Sequence, residues 1–176
     1  MHRREVFTFL GVVATWPWGV RAQQEPATPA TSKQGQASNG STSMPENGLV
    51  SVQSRSPAPE TVERLLSALA KRKLAIYARV DHAAGAASVG LQLRPTELVI
   101  FGNPRAGTPL MQAAQTLGID FPLKALVWQD EGGKTWLAYN DAAWFAERHG
   151  LGAASADAVN AIAAGMAAVT RYAAEG

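Results

Sequence analysis

The sequence predicts an α+β domain, a two-layer sandwich in which helices pack on a mixed sheet of about five strands. Three observations predict it. From residue 48 onward, helical stripes of apolar residues alternate with strand-like runs. The first helix joins two such runs as a crossover, which favours parallel strands, whereas residues 123–139 carry the signal of an antiparallel hairpin. A sheet with both kinds of pairing follows.

The first three elements form the predicted crossover. "GLVSVQS" at 48–54 reads as a short strand, and an amphipathic helix follows it. Its apolar face repeats at the i, i+3, i+4, i+7 spacing of a helix, and consists of Val62, Leu65, Leu66 and Leu69. Residues 74–81, "LAIYARVD", alternate apolar and polar side chains, which predicts a half-buried strand.

The central part of the chain predicts an inner strand and a capped helix. Four apolar residues in a row, 98–101, are typical of a strand that is covered on both faces. Thr108 is a good N-cap residue and Pro109 a good first helical residue, so we expect a helix to begin there.

The remaining residues predict a hairpin and two helices. Strands at 123–129 and 135–139 are joined through "DEGGK". Asn140 or Asp141 then caps a helix that reaches His149 and stops at Gly150, and a last helix opens at Ser155.

The N-terminal 47 residues predict export. Arg3 and Arg4 precede a mostly apolar run, and "VRA" at 20–22 has small residues where a signal peptidase reads, so residues 1–22 are predicted to be a signal peptide. Both the general secretory and the twin-arginine routes remain open, and the expected location is periplasmic or secreted. Residues 23–47 are rich in Pro, Ser and Gln, which predicts a disordered tether before a single domain at 48–176. The apolar run is too short to favour a retained membrane span.

Composition excludes several classes of function. The absence of cysteine excludes disulfides and thiolate metal sites. Cleavage after residue 22 removes three of the 16 basic and one of the 14 acidic residues, leaving 13 of each. A neutral domain without a basic stripe predicts no nucleic-acid partner. No zinc motif and no dinucleotide fingerprint occur, so we expect no cofactor and no dedicated metal site.

The loop "FGNPRAGTP" at 101–109 is the first candidate site. Its glycines have the spacing of a phosphate-binding P-loop, but the required lysine is missing and Pro109 removes one backbone donor. A capped corner and a site for a polar or anionic ligand, with Arg105 beside backbone amides, both remain open.

Asp81 and His82 are the second candidate site. A carboxylate next to an imidazole is suited to proton transfer or, more weakly, to metal ligation by His82. The alternative is that one of the two residues caps the short helix that follows. His149 lies in a last helical turn, where a cation complements the helix dipole.

Several segments together resemble the family known as domain of unknown function 302. The resemblance runs through nearly all of residues 50–150 and rests on "DHAAG" at 81–85, "LRPT" at 93–96, "FGNP" at 101–104, "GTP" at 107–109 and "YND" at 139–141. It implies a compact α+β domain that pairs into dimers and is often exported or joined to other domains. It implies no established reaction.

Two functions are therefore expected as alternatives. The first is an exported, dimeric, non-catalytic binding or assembly module that holds a small polar or anionic ligand between residues 81–85 and 102–108. The second is a small periplasmic enzyme, or a haem- or metal-associated redox domain, that uses Asp81 and His82. The residues predicted to contact a ligand are His82, Arg94, Asn103, Arg105 and Thr108.

Overall fold

The computed structural model describes residues 47–176, which form one sheet of five strands with five α-helices. The predicted signal peptide and nearly all of the predicted tether lie outside these residues. The elements are β1 (Leu49–Gln53), α1 (Ala58–Lys71), β2 (Ala75–Asp81), α2 (His82–Ser88), β3 (Thr96–Gly102), α3 (Pro104–Ala113), β4 (Leu123–Gln129), β5 (Thr135–Asn140), α4 (Ala142–Arg148) and α5 (Ala156–Glu175), with 3₁₀ turns at Gln115–Ile119 and Ala153–Ser155. The α+β class and the number of strands are confirmed.

The sheet has the order β1-β5-β4-β3-β2, and each neighbouring pair is antiparallel. The expected mixture of parallel and antiparallel pairs is therefore wrong. The crossover through α1 exists, and β1 and β2 run in the same direction. They lie at opposite edges, however, because β5, β4 and β3 are inserted between them.

Strand β2 is exposed along its whole length, where a half-buried strand was predicted. It is an edge strand with one neighbour, β3, and its register shifts between Ile76 and Ala78. Alternation of side chains revealed the strand, but could not reveal that the layer of helices ends short of this edge.

The core lies between one face of the sheet and the helices α1 and α5. Alternate residues of the three inner strands point into it, including Val99, Phe101 and Leu137, which are fully buried. The predicted stripe of α1 packs against them, with Leu65 and Leu69 at zero exposure. A second cluster, around Leu110 and Phe145, joins α3 and α4 to the same layer.

Helix α3 begins five residues earlier than predicted. Asn103 is its N-cap, with the side-chain Oδ1 accepting from the Arg105 backbone N–H at 2.9 Å, and Pro104 is its first residue. The expected start at Thr108 and Pro109 is thus wrong, and both residues lie inside the helix. Asn-Pro and Thr-Pro both resemble a helix start, and the chain uses the earlier one.

The predicted cap and stop of α4 are confirmed. Asp141 accepts from the backbone N–H groups of Ala143 and Trp144 and so caps α4. Gly150 has φ +65° and ends that helix, while Leu151 packs in the adjoining cluster. The left-handed conformation is why glycine suits this position.

Residues Ala153–Glu175 are long and apolar enough to cross a bilayer by length and composition. A core helix meets the same criterion, and α5 has a face in the core, where Val159, Met166, Val169 and Ala173 are buried.

The sheet surface opposite α1 and α5 is largely apolar, and we call it the outer face. The strand registers place Ala78, Val80, Leu98, Ile100, Leu126, Trp128, Trp136 and Ala138 on it, together with Leu49, Ser51, Gln53, Thr96 and Lys124. The two indole rings stack with centroids 6.4 Å apart. Most of these side chains are half-buried, and Val80 is 37% exposed.

Candidate functional site

A cavity of about 530 Å³ lies beside the loop that follows β3. It is lined by the end of β3, the first two turns of α3, the 118–123 segment and one face of α5. Arg72 and Leu74 before β2 and Tyr77 within β2 also line it. This volume falls in the range of roughly 300–1,000 Å³ that is usual for pockets holding small organic ligands.

The floor of the cavity is hydrocarbon. Its deepest residues belong to the domain core, since Phe101, Met166 and Val169 are at most 3% exposed. Leu123 and Ile162 complete the floor and are half-buried. A ligand seated here would replace contacts with water by contacts with apolar side chains, the main source of affinity for such sites.

Small residues of α5 leave this space open. Ala158, Ala161 and Gly165 face the cavity from one side of the helix. A Cβ placed on Gly165 would have no atom within 4 Å outside the backbone of its own helix. The cavity is therefore wide at Gly165, where any larger side chain would project into it.

Polar groups gather at the exposed rim. They belong to Arg72, Asn103, Arg105 and Thr108, which line the cavity and are exposed. Among the described residues that line the cavity, two are arginines and none is acidic. In the described part of the chain, neither arginine forms a salt bridge. The rim therefore has a positive charge that is free to meet an anion.

The start of α3 packs closely on the ring of Phe121, which lines the cavity. A Cβ on Gly107 would lie 3.1 Å from the Phe121 ring, so glycine is what allows the helix to approach this side chain. Phe121 in turn meets Phe145 edge to face, with ring centroids 5.4 Å apart. The start of α3, which carries Asn103, Arg105 and Thr108, is thus packed against the second hydrophobic cluster.

Asp81 and His82 lie far from this cavity. Asp81 pairs with Glu97 at one end of the β2–β3 pair, while Gly102 pairs with Ala75 at the other. Five residues of strand separate the two ends, or about 17 Å at the usual rise. The structure therefore does not bring His82 together with Asn103 and Arg105.

The local role of Asp81 is visible. Its side chain accepts from the backbone N–H of Ala84 at 2.9 Å and caps α2, which is the structural alternative stated above. His82 is the exposed first residue of that helix.

Arg94 also lies outside the cavity. Its Nε donates to the Gln129 carbonyl at 3.1 Å, and its guanidinium is 4.0 Å from Glu131. It thus fastens the chain before β3 to the hairpin. Of the five residues predicted to contact a ligand, Asn103, Arg105 and Thr108 line the cavity, whereas His82 and Arg94 do not.

His149 forms a buried cluster of its own. Its Nε2 lies 2.7 Å from Asp120 Oδ2, and its Nδ1 lies 2.9 Å from Thr116 Oγ1. The side chains of His149 and Asp120 are 6% and 9% exposed. Because a carboxylate only accepts, Nε2 carries a hydrogen. None of these three residues lines the cavity, and the cluster joins the end of α4 to the turn after α3.

The described residues contain no group of three or more His, Cys, Asp and Glu side chains placed to hold a metal ion.

Sequence reasoning missed the α5 side of the cavity and Arg72. The end of α1 is cationic, and Lys71 lies in its last turn, where a positive charge complements the helix dipole. Nothing in the local pattern shows that the next residue, Arg72, faces a cavity built from distant segments. A glycine amid the alanines of α5 was the one available signal.

Three comparisons bear on this chain. The family model described as "Domain of unknown function DUF302" matches residues 50–169. Two curated relatives, each called "Fluoride-specific ion channel FluC 1", come from Brucella suis and Brucella abortus, and each is 50% identical over 129 residues. The matches cover 73% of this chain and 51% and 48% of those proteins, so the chain spans about half the length of these relatives.

One solved structure has the same fold. It is the crystal structure of an uncharacterized conserved DUF302 protein from Bacillus stearothermophilus, with a TM-score of 0.65 and 18% identity. The match covers 72% of this chain and 98% of that one. At this level of identity the likeness shows the fold alone.

Proposed function

This chain belongs to the DUF302 family, and we propose that its domain is an exported, non-catalytic module that binds a small organic ligand in the cavity between α3 and α5. The cavity is the observation that carries the proposal, because it combines an apolar floor with a polar rim. The ligand expected from sequence, small and polar or anionic, is revised to a mainly apolar molecule. The N-terminal sequence supports export.

A neutral solvatochromic dye, Nile red, tests whether the cavity binds ligands. We expect saturable binding with a blue-shifted emission, and a loss of at least tenfold in affinity for Gly165→Phe. That ring would project into the cavity. The matched control is Gly85→Phe, since Gly85 is also helical, also has open space around its Cβ position and lies outside the cavity. Equal binding by both variants would remove the cavity as the site.

We further propose that the domain forms a homodimer through the outer face. Five strands spaced about 4.8 Å apart and six residues long give roughly 500 Å² per protomer. Over both protomers this is about 1,000 Å², the lower end of the range for a specific interface. Burial lowers the pKa of Lys124, the lysine on this face, against the opposing effect of Asp120.

Light scattering on the eluting protein tests the dimer. We expect twice the chain mass for the wild type and for Ala70→Arg, which places a charge on the exposed side of α1. Leu98→Arg would place the same charge on the outer face, and we expect it to elute as a monomer with an unchanged circular dichroism spectrum. A monomeric wild type, or a dimeric Leu98→Arg protein, would contradict the proposed interface.

The identity to proteins named as fluoride-specific ion channels favours a second candidate function, an accessory role beside a channel. The proposal is that the half shared with those relatives is not the conducting part, since α5 is committed to a core with α1 and the sheet. Liposomes loaded with fluoride test it. We expect no fluoride efflux when this chain alone is added. Efflux above that of fluoride-loaded liposomes without protein would overturn the accessory role.

A further inference from the structure

The cavity differs sharply between its floor and its rim, and that difference points to a ligand class. Leu123 and Ile162 are half-buried on the floor, above the buried side chains of Phe101, Met166 and Val169, while Arg72 and Arg105 are exposed at the mouth. A ligand that fills this space needs an apolar body and a polar end that stays at the rim. A wholly polar molecule would lose hydration on the floor without gaining hydrogen bonds.

The positive charge of the rim determines which polar group the ligand should carry. Two guanidinium groups line the mouth, and the described lining residues include no carboxylate to balance them. Arg72 Nη1 donates to the Ala68 carbonyl at 3.4 Å, and its guanidinium makes no other hydrogen bond to residues 47–176. Guanidinium binds carboxylate in a bidentate manner, with a strength that a neutral hydroxyl does not reach. An ammonium group would instead be repelled.

We infer that the cavity takes a monocarboxylate amphiphile, with its carboxylate between Arg72 and Arg105 and its hydrocarbon body on the floor. This inference rests on the proposed ligand-binding function and names the ligand class of the same site. The rim amide of Asn103 adds to it, because its Oδ1 is engaged as the cap of α3 while its NH₂ group makes no hydrogen bond to a described residue.

Calorimetric titration of three ten-carbon probes separates the head groups. We expect decanoate to bind at least tenfold more tightly than decanol, and decylamine to bind more weakly than either. Comparison of octanoate with decanoate measures the contribution of the hydrocarbon chain. Burial of each methylene predicts an increase of about fourfold in affinity. Decanol equal to decanoate, or decylamine tighter than both, would overturn the inference.

Variants of the two rim arginines test whether their charge binds the carboxylate. Arg72→Gln and Arg105→Gln are each expected to weaken decanoate binding about tenfold and to leave decanol binding unchanged. The control is Arg171→Gln, since Arg171 is an exposed arginine of α5 that does not line the cavity. Loss of decanoate affinity in the control to the same degree would show a non-specific effect of net charge and would also overturn the inference.

The two levels of proposal fail separately. If Nile red binds in a way that depends on Gly165 but no carboxylate binds, the ligand class is wrong and the binding function stands. If neither binds, the binding function itself is wrong.

Discussion

Removal of the Asp120 carboxylate tests the buried cluster that ties α4 to the turn after α3. Asp120→Ala deletes the acceptor of the 2.7 Å bond from His149 Nε2 and leaves that N–H in a site where the imidazole side chain is 6% exposed. An orphaned buried donor costs about 1–3 kcal/mol. Since the lost bond is charge-assisted, we expect the upper half of this range, about 2–3 kcal/mol in the free energy of unfolding.

Urea unfolding followed by tryptophan fluorescence measures this loss. The control is Arg148→Ala, because the Arg148 contact with Asp120 is 3.3 Å long and the arginine side chain is 48% exposed. Such a pair contributes about 1 kcal/mol or less. A double-mutant cycle of Asp120→Ala with His149→Ala should give a coupling energy above about 1 kcal/mol. A change below about 0.5 kcal/mol for Asp120→Ala would refute the reasoning.

Two further predictions concern Gly48 and the hairpin. Gly48→Ala should cost about 2–4 kcal/mol in thermal unfolding, because φ is +69° and the added Cβ would overlap the Trp144 indole. Gly133→Ala has a similar φ but open space, so it should show only the backbone part, and equal losses would contradict the overlap. Trp136→Phe removes the hydrogen bond that most lowers the pKa of Asp130, so that pKa should rise towards its ordinary value in an NMR titration. Because a lowered carboxyl pKa stabilises the fold above the unfolded pKa and the effect fades as pH falls through the folded value, the wild type should lose this contribution below about pH 4. An unchanged Asp130 titration would reject the assignment.

Local sequence patterns predicted the helices and strands well, but they predicted the pairing of distant strands much less well. The hairpin strands, the cap at Asp141 and the stop at Gly150 depend on residues within one or two turns of each other, so their signals are complete in the sequence. The pairing of β2 depends instead on where β3 lies, and that is decided by the whole sheet. The expected parallel pairing failed for this reason, because a crossover fixes strand direction but not adjacency.

The candidate site divides in the same way. Asn103, Arg105 and Thr108 were predicted together because they lie in one glycine-rich loop, and all three line the cavity, although the helix start within that loop was misplaced. Arg72 reaches the same cavity from the end of α1, about thirty residues earlier in the chain. Asp81 and His82 were attractive as a pair, but their position on the β2–β3 ladder takes them to the opposite end.

The cavity exists because of residue choice in α5 and not because of topology. One face of α5 carries both the large residues Met166 and Val169, which are buried in the core, and the small residues Ala158, Ala161 and Gly165, so the cavity is open where the side chains of this face are small. Glycine within a helix costs about 1 kcal/mol relative to alanine. A larger apolar residue at Gly165 would add helix propensity and buried area together, and the open space there shows that no steric conflict forbids it. A fold that forgoes both gains keeps about 530 Å³ of apolar space behind a cationic rim, which is the arrangement a binding site for an amphiphilic anion requires.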